Sequence, residues 1–295
     1  MPTPERLADQ FETHRAHLRA VAYRMLGSVS DAEDAVQESW IRFGRTDVSD
    51  VENLRGWLTT VVARVCLDLL RTRASRREDP LETHVPDPIL SAAPVDDGPE
   101  ALVMRADTVG LALLIVFDTL TPDERLAFVL HDVFGMAFDE IAPVVERSTE
   151  ATRQLASRAR RKVRARTPVP EASLRAQRSV VEAFLAAVRD ANVPALVAVL
   201  HPDIVLRADG GAAQGLSRIV RGAGEIVSQA AAFSRIGLSS QVVLVNGQAG
   251  LLSRLPDGRV FSVLGFTVAN GQVVEINILA DAARLARLDL AGVGA

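Results

Sequence analysis

The stretch from Thr121 to Arg166 constrains this chain more than any other. Thr121, Pro122 and Glu124 spell a helix start: a hydroxyl cap, a proline in the first turn and the capping-box acid three residues on. Leu126, Val129, Leu130 and Val133 then recur at three- and four-residue steps, giving one apolar face to a helix that Gly135 ends. A shorter helix is expected over Phe138–Val145, and Ser148 is placed to cap a third. On that third helix Leu155, Ala159 and Val163 share one side, while Arg153, Gln154, Ser157, Arg158 and Arg161 lie on others. Two helices, a tight turn and a third helix with one apolar stripe is the layout of a helix-turn-helix, whose last helix enters the major groove of a duplex.

The charge agrees with that layout. Arg153 to Arg166 holds seven basic side chains and no acidic one, a one-sign surface of the kind phosphate contacts require. A solvated helix end whose cations complement the macrodipole is the plainer alternative, and four basic residues would satisfy it. Across the 295 residues the net charge is −4 and the pI about 5.8, so the cations are segregated rather than spread. An apolar content of 48% supplies two packed domains, possible at this length, and argues against a disordered chain. Cys66 is the single cysteine, which excludes an internal disulfide and a cysteine zinc site; no metal or cofactor is expected. The start MPTPERLADQ has no apolar signal core and no apolar run reaches membrane-spanning length, so a soluble, cytoplasmic protein without a membrane partner is expected.

Towards the N-terminus, Phe11–Leu26 is a helical pattern closed by Gly27, and Ser30 with Glu33 reads as a second capping box. The helix it opens carries Asp31, Glu33, Asp34, Gln37 and Glu38, a face suited to a basic partner, with plain helix solubility as the alternative. A polar loop over Gly44–Asn53 precedes a third helix, covered by Trp57, Leu58, Val61, Val62, Val65, Leu69 and Leu70. Arg64, Arg71, Arg73, Arg76 and Arg77 make that helix mostly positive. An aromatic beside a basic helix suits single-stranded DNA, although Trp57 alone reads as a core anchor.

Asp31 to Trp40, Gly56-Trp57-Leu58 and Asp68-Leu69-Leu70-Arg71 together resemble the second region of bacterial sigma factors of the extracytoplasmic-function (ECF) class. Thr121–Arg166, with Ser157-Arg158-Ala159-Arg160 in its last helix, looks like their fourth region. The resemblance implies that Asp31, Glu33, Asp34, Gln37 and Glu38 face core RNA polymerase. It implies that the Gly44–Asn53 loop, including Asn53, binds and opens the minus-ten element with Arg64, Arg71 and Arg73. Arg153, Gln154, Ser157, Arg158 and Arg161 would contact the minus-thirty-five promoter DNA.

Between Glu78 and Glu100, Pro80, Pro86, Pro88, Pro94 and Pro99 sit among Asp79, Asp87, Asp96 and Asp97, a semi-rigid acidic spacer. Val85-Pro86-Asp87-Pro88 resembles a Leu-Pro-Glu-Pro motif of sigma factors with an extra C-terminal domain, with His84 where that group has tryptophan. Thr167-Pro-Val-Pro170 marks a second break. Beyond it, helices are expected at Val180–Val188, Ala195–Leu200 and Gly222–Phe233. Strands are expected at Ile204–Leu206, Val242–Val245, Gly250–Leu255, Val260–Val268 and Val273–Leu279. Pro256-Asp257-Gly258 and Asn270-Gly271 split the last three into hairpins, predicting an antiparallel meander curved around a cavity.

This segment resembles the SnoaL-like, cone-shaped domains, and Asp209-Gly210-Gly211 resembles an Asp-Gly-Gly-Gly motif of the same sigma-factor group. Asp281–Leu288 keeps parts of that group's C-terminal segment, with Arg284 in place of a lysine. Pro86, Asp87, Pro88, Asp209, Gly210 and Gly211 are therefore the expected regulatory contacts, beside a cavity open to a small ligand.

The expected organisation is multidomain: two all-α segments, 1–78 and 101–166, joined by a linker at 79–100 and followed by an α+β cone over 167–295. The expected function is that of an alternative sigma factor whose last domain modulates it in cis, and no catalytic residue is assigned. A one-component helix-turn-helix regulator with a ligand-binding cone is the alternative. An enzyme using His201, Asp203 and Asp209 is a third reading.

Overall fold

Helix α1 (Pro4–Leu26) ends where Gly27 takes φ 72°, a conformation that costs glycine little. Helix α2 (Val29–Gly44) is capped by Ser28, whose hydroxyl accepts from the Asp31 N–H. Ser30, the expected cap, lies inside the helix; a cap needs extended backbone, which Ser28 has at φ −119° and ψ 132°. Asn53 caps α3 (Leu54–Ser75) through a bond from the Gly56 N–H. These three helices pack together around Phe11, Leu18, Met25, Phe43, Leu58 and Leu67, with Trp40 edge-on to Phe11 at 5.2 Å. Cys66 is buried there, and burial pushes its thiol up to about 12, so it is an inert packing atom.

The computed structural model describes residues 4–48, 51–76, 82–92, 110–166, 173–211, 217–233, 236–291 and 293. Among them no helix is long and apolar enough to cross a membrane. Asp79, Pro80, Pro94, Asp96, Asp97 and Pro99 of the expected spacer lie outside the described residues, as do Arg77 and Thr167 to Pro170.

Helix α4 (Leu111–Phe117) leads to α5 (Pro122–Phe128), which carries the expected capping box in both directions. The single helix expected up to Gly135 changes into a π-helical turn over Val129–Val133. There His131 stacks on Phe138, with ring centroids 3.8 Å apart, and bonds the Met136 carbonyl at 2.9 Å. Helix α6 (Phe138–Val145) closes on Glu146 in the left-handed conformation, and Ser148 caps α7 (Thr149–Arg166).

Met1–Asp79 and Val116–Arg166 form one compact unit; Pro80–Ile115 and Thr167–Ala295 form the other. The two helical segments, expected as separate domains, thus share a unit, because α3 packs on α5 and α6. Within it Arg125 is buried, pairs with Asp118 at 2.7 Å and donates to the Arg24 carbonyl of α1. His17 of α1 bonds Thr59 and Arg55 of α3 and meets the ring edge of Phe134. Burial, then the Arg55 charge, lowers the His17 imidazole to about 4 and keeps it neutral.

The second unit is an α+β fold, the class expected. Strand β1 (Leu90–Ser91) comes from the linker. Helices α8 (Leu174–Arg189) and α9 (Val193–Val199) precede β2 (Leu200–Asp209) and β3 (Arg218–Arg221). Helix α10 (Ala223–Phe233) leads to β4 (Ser239–Val245), β5 (Gln248–Arg254), β6 (Val260–Ala269) and β7 (Gln272–Leu279), and α11 (Ala282–Leu285) follows. The sheet order is β1-β4-β5-β6-β7-β2-β3. It is mixed rather than an antiparallel meander, because β2 runs parallel to β7. Only a long crossover can join parallel strands, and everything from β3 to β6 lies between this pair in the chain. One sheet face packs Leu251, Phe266, Val268 and Ile276 against Val181 and Phe184 of α8 and Leu196 of α9.

Candidate functional site

The α7 helix buries Leu155, Ala156 and Ala159 and exposes Arg153, Gln154, Ser157, Arg158 and Arg161. Its cations are not equivalent. Lys162 and Arg158 reach the nearly buried Glu124 at 2.7 and 3.5 Å, and Arg160 is held by Asp132 at 2.6 Å. Burial raises the Glu124 carboxyl, but bonds from Lys162 and the Thr121 N–H outweigh it and keep the group ionised. Arg158, expected only as a DNA contact, is thus also a strut from α7 to α5.

A pocket of about 310 Å³ opens between α2 and α3, lined by Arg42, Arg45, Thr46, Trp57, Val61 and Arg64. Of the residues expected at the minus-ten element, Arg64 lines it, together with Arg45 and Thr46 of the Gly44–Asn53 loop. Asn53 spends its side-chain oxygen on capping α3, Arg71 bonds Asp123, and Arg73 bonds Asp31 at 2.7 Å. Trp57, expected as a core anchor, is half-buried, packs on Phe43 at 6.0 Å and forms part of the wall. Ser49 and Asp50 of the Gly44–Asn53 loop lie outside the described residues.

The acidic face of α2 is uneven as well. Asp34 and Gln37 are exposed, Glu38 pairs with Arg42 at 2.9 Å, and Glu33 pairs with Arg19 at 2.9 Å. Asp31 turns inward onto Arg73.

In the second unit the linker is clasped by the sheet and α11. The Asp209 carboxylate accepts from the Val85 N–H at 3.0 Å, from the Gly211 N–H at 3.0 Å and from Arg284 at 2.8 Å, with His84 at 3.4 Å. Burial works against this charge, yet the bonds from His84, Val85 and Gly211 and the Arg284 charge hold the carboxyl well below the usual carboxylate range. Arg284 also donates to Asp87 and to the Val85 carbonyl at 2.5 Å. Pro86 and Pro88 are buried beside these bonds. Gly210 donates to Ser217, and Gly211 sits at φ 61° where a Cβ would strike the Asp281 carboxylate. Asn246 adds two further bonds to Ile89, one from its side chain and one from its backbone, and β1 extends the sheet beside β4.

The three enzyme candidates do not converge. The ring of His201 accepts from the Asp203 N–H at the start of β2, whereas Asp209 ends that strand inside the clasp. Among the described residues no cluster of histidine, cysteine or acid is placed to hold a metal. A groove of about 390 Å³ bounded by Leu200, Pro202, Gly222, Glu225 and Gln272 lies at the α9–α10 end, and Glu225 is its charged group. It gives the expected small ligand no support.

Residues 10–76 match the family described as sigma-70 region 2, and residues 111–163 match sigma-70, region 4. The ECF RNA polymerase sigma factor SigJ of Mycobacterium tuberculosis is 40% identical over 251 residues, covering 82% of this chain and 79% of that one. The chain belongs to the ECF RNA polymerase sigma factors.

A second M. tuberculosis relative, "Probable ECF RNA polymerase sigma factor SigI", is 33% identical over 273 residues, 91% of each chain. The crystal structure of M. tuberculosis SigJ matches with TM-score 0.75 and 34% identity, covering 96% of this chain and 99% of that one. The present protein is accordingly an alternative sigma factor that directs polymerase to promoters, with an α+β, SnoaL-like domain at its C-terminus. A one-component regulator is not favoured by these relatives, and a non-enzymatic transcription factor is the reading they carry.

Sequence reasoning about this sigma factor missed Arg42 of the pocket and Arg207 of the clasp; it had Arg45 and Thr46 only as part of the Gly44–Asn53 loop and Val61 only as apolar cover of α3. Arg207 donates to the Glu82 carbonyl at 2.9 Å while pairing with Glu275 at 3.0 Å. A signal for the pocket existed, since Trp57, Val61 and Arg64 are spaced i, i+4, i+7 on one face of α3. No local signal marked Arg207.

Proposed function

We propose that the exposed face of α7 reads the upstream promoter duplex, that the α2–α3 pocket receives an unpaired base of the melted downstream element, and that Asp34, Gln37 and Glu38 engage core polymerase. The single observation that carries this reading is the pocket, where an aromatic wall stands among three guanidinium groups. Extruding a base costs a few kcal/mol, and stacking on one aromatic returns about 1–3 kcal/mol. Trp57 alone only breaks even. Arg42, Arg45 and Arg64 supply the remaining attraction by drawing in the flanking phosphates.

The same reading makes the C-terminal unit a modulator in cis. A tethered domain acts at high effective concentration, so the clasp on Val85 to Asp87 need not be strong to set where the linker runs.

The test is co-purification with core polymerase. The Asp34→Ala, Gln37→Ala and Glu38→Arg triple variant is expected to keep the fold, since these side chains are exposed or half-exposed, and to lose at least tenfold in holoenzyme yield. Undiminished holoenzyme would remove these residues from the polymerase interface.

A further inference from the structure

Two arginines of α3 assigned above or by resemblance to melted DNA are held by groups from the downstream helices of the same unit. Arg71 donates through Nε at 3.2 Å and Nη2 at 2.9 Å to Oδ1 of Asp123 in the first turn of α5. Arg64, seven residues earlier and so on the same helical face, donates through Nη2 at 3.3 Å to the Pro143 carbonyl of α6. That carbonyl lies in the last turn of α6. The turn ends on left-handed Glu146, with the Glu146 and Arg147 N–H groups both bonding the Ala142 carbonyl instead.

The Asp123 side chain is not part of the capping box of α5, which Thr121 and Glu124 form. Its carboxylate faces α3 instead, with Arg147 at 3.8 Å from its other oxygen, and its side chain is 19% exposed. An oxygen taken by both Nε and Nη2 of a guanidinium sits where a phosphate oxygen sits in an arginine–phosphate contact. The Pro143 carbonyl is a neutral counterpart of the same kind.

We propose that Asp123 and the Pro143 carbonyl are internal stand-ins for DNA phosphates, so that single-stranded DNA and the helix-turn-helix segment compete for one arginine face of α3. The inference rests on the reading of Arg64 and Arg71 as backbone ligands of melted DNA. In the folded unit the helix-turn-helix therefore screens the strand-binding face. Separation of the two segments uncovers it.

The competition is measurable with the full-length chain and a short fluorescent single-stranded thymidine oligonucleotide, titrated across a salt series. Asp123→Asn, nearly isosteric, is expected to bind roughly tenfold tighter at low salt, the worth of one charge-assisted contact. Its log–log salt slope should steepen by about 0.7, one recovered phosphate contact. Asp123→Glu, which keeps the charge, should behave as the parent and shows that the position tolerates change. Asp139→Asn makes the same charge change at an exposed acid of α6 and should leave slope and affinity near the parent values. Adding Arg71→Ala to Asp123→Asn should erase the gain.

Equal gains from Asp123→Asn and Asp139→Asn, or a gain that survives loss of Arg71, would reduce the effect to net charge and overturn the proposal. If Asp123→Asn brings no gain, promoter opening by holoenzyme carrying Arg71→Ala separates the two failures. Reduced opening leaves Arg71 a DNA ligand and removes only the competition; unchanged opening removes the ligand assignment too.

Discussion

Arg284→Ala is expected to destabilise the C-terminal unit by about 3 kcal/mol, the lower end of what removing one partner of a buried ion pair costs. Arg284 is 19% exposed and binds three acceptors at once: the Asp209 and Asp87 carboxylates and the Val85 carbonyl. Its loss leaves Asp209, 9% exposed, ionised against two backbone N–H groups and His84. Arg284→Lys keeps the charge but not the fork of donors, so it should recover part of the loss. Thermal unfolding of the full chain reads the stability. Limited proteolysis within residues 82–92 reads release of the linker, which should be cleaved faster in Arg284→Ala.

The clasp also fixes a pH dependence. The folded Asp209 carboxyl is depressed below its unfolded value of about 3.9, so its contribution is complete above that value and is lost as pH falls below it. Parent protein should lose stability below about pH 4, and Arg284→Ala should show a flatter acid limb because less depression remains to be lost. An identical acid limb in both would place the acid sensitivity elsewhere.

The second large effect is expected on α7. Arg153→Ala and Arg161→Ala should each weaken binding of holoenzyme to its upstream promoter duplex by about 1–3 kcal/mol, tenfold or more. Arg153 has an exposed neighbour, Glu150 at 3.4 Å, and lies over the Phe138 ring at 5.9 Å, and Arg161 is exposed. Arg160→Ala is the informative contrast. Its guanidinium is held at 2.6 Å by Asp132, so this variant should cost some stability and much less duplex affinity. Promoter fragments recovered by the parent holoenzyme, titrated at fixed salt, separate the three. An equal loss from Arg160→Ala would mean that the whole cationic surface acts as an undirected cloud.

What the sequence revealed and concealed follows from the range of each signal. Thr121, Pro122, Glu124 and the Leu126-to-Val133 spacing are local, and the capping box appears as expected. The π-helical turn that replaces the end of that helix leaves no mark in the spacing, because Val129, Leu130 and Val133 fit either geometry. Asn270-Gly271 makes its hairpin turn with both residues at positive φ. Asn246-Gly247 does the same between β4 and β5, an equally local signal. The parallel pairing of β2 with β7 was not legible, since β2 carries the same apolar residues whichever neighbour it takes. The pocket joins the end of α2 to the face of α3 across a loop, so Arg42 and Arg45 met Trp57 only in three dimensions. Asp87, Asp209 and Arg284 were named from the family resemblance; their bonding to one another came from the fold.

Run-off transcription with purified core polymerase on a linear promoter template tests the central claim most directly. Core alone should give no specific transcript, addition of the chain should give one, and Arg42→Ala with Trp57→Ala should abolish it while duplex binding by holoenzyme persists. A chain that binds promoter duplex tightly by itself, yet neither joins core polymerase nor yields a transcript with it, would contradict the account.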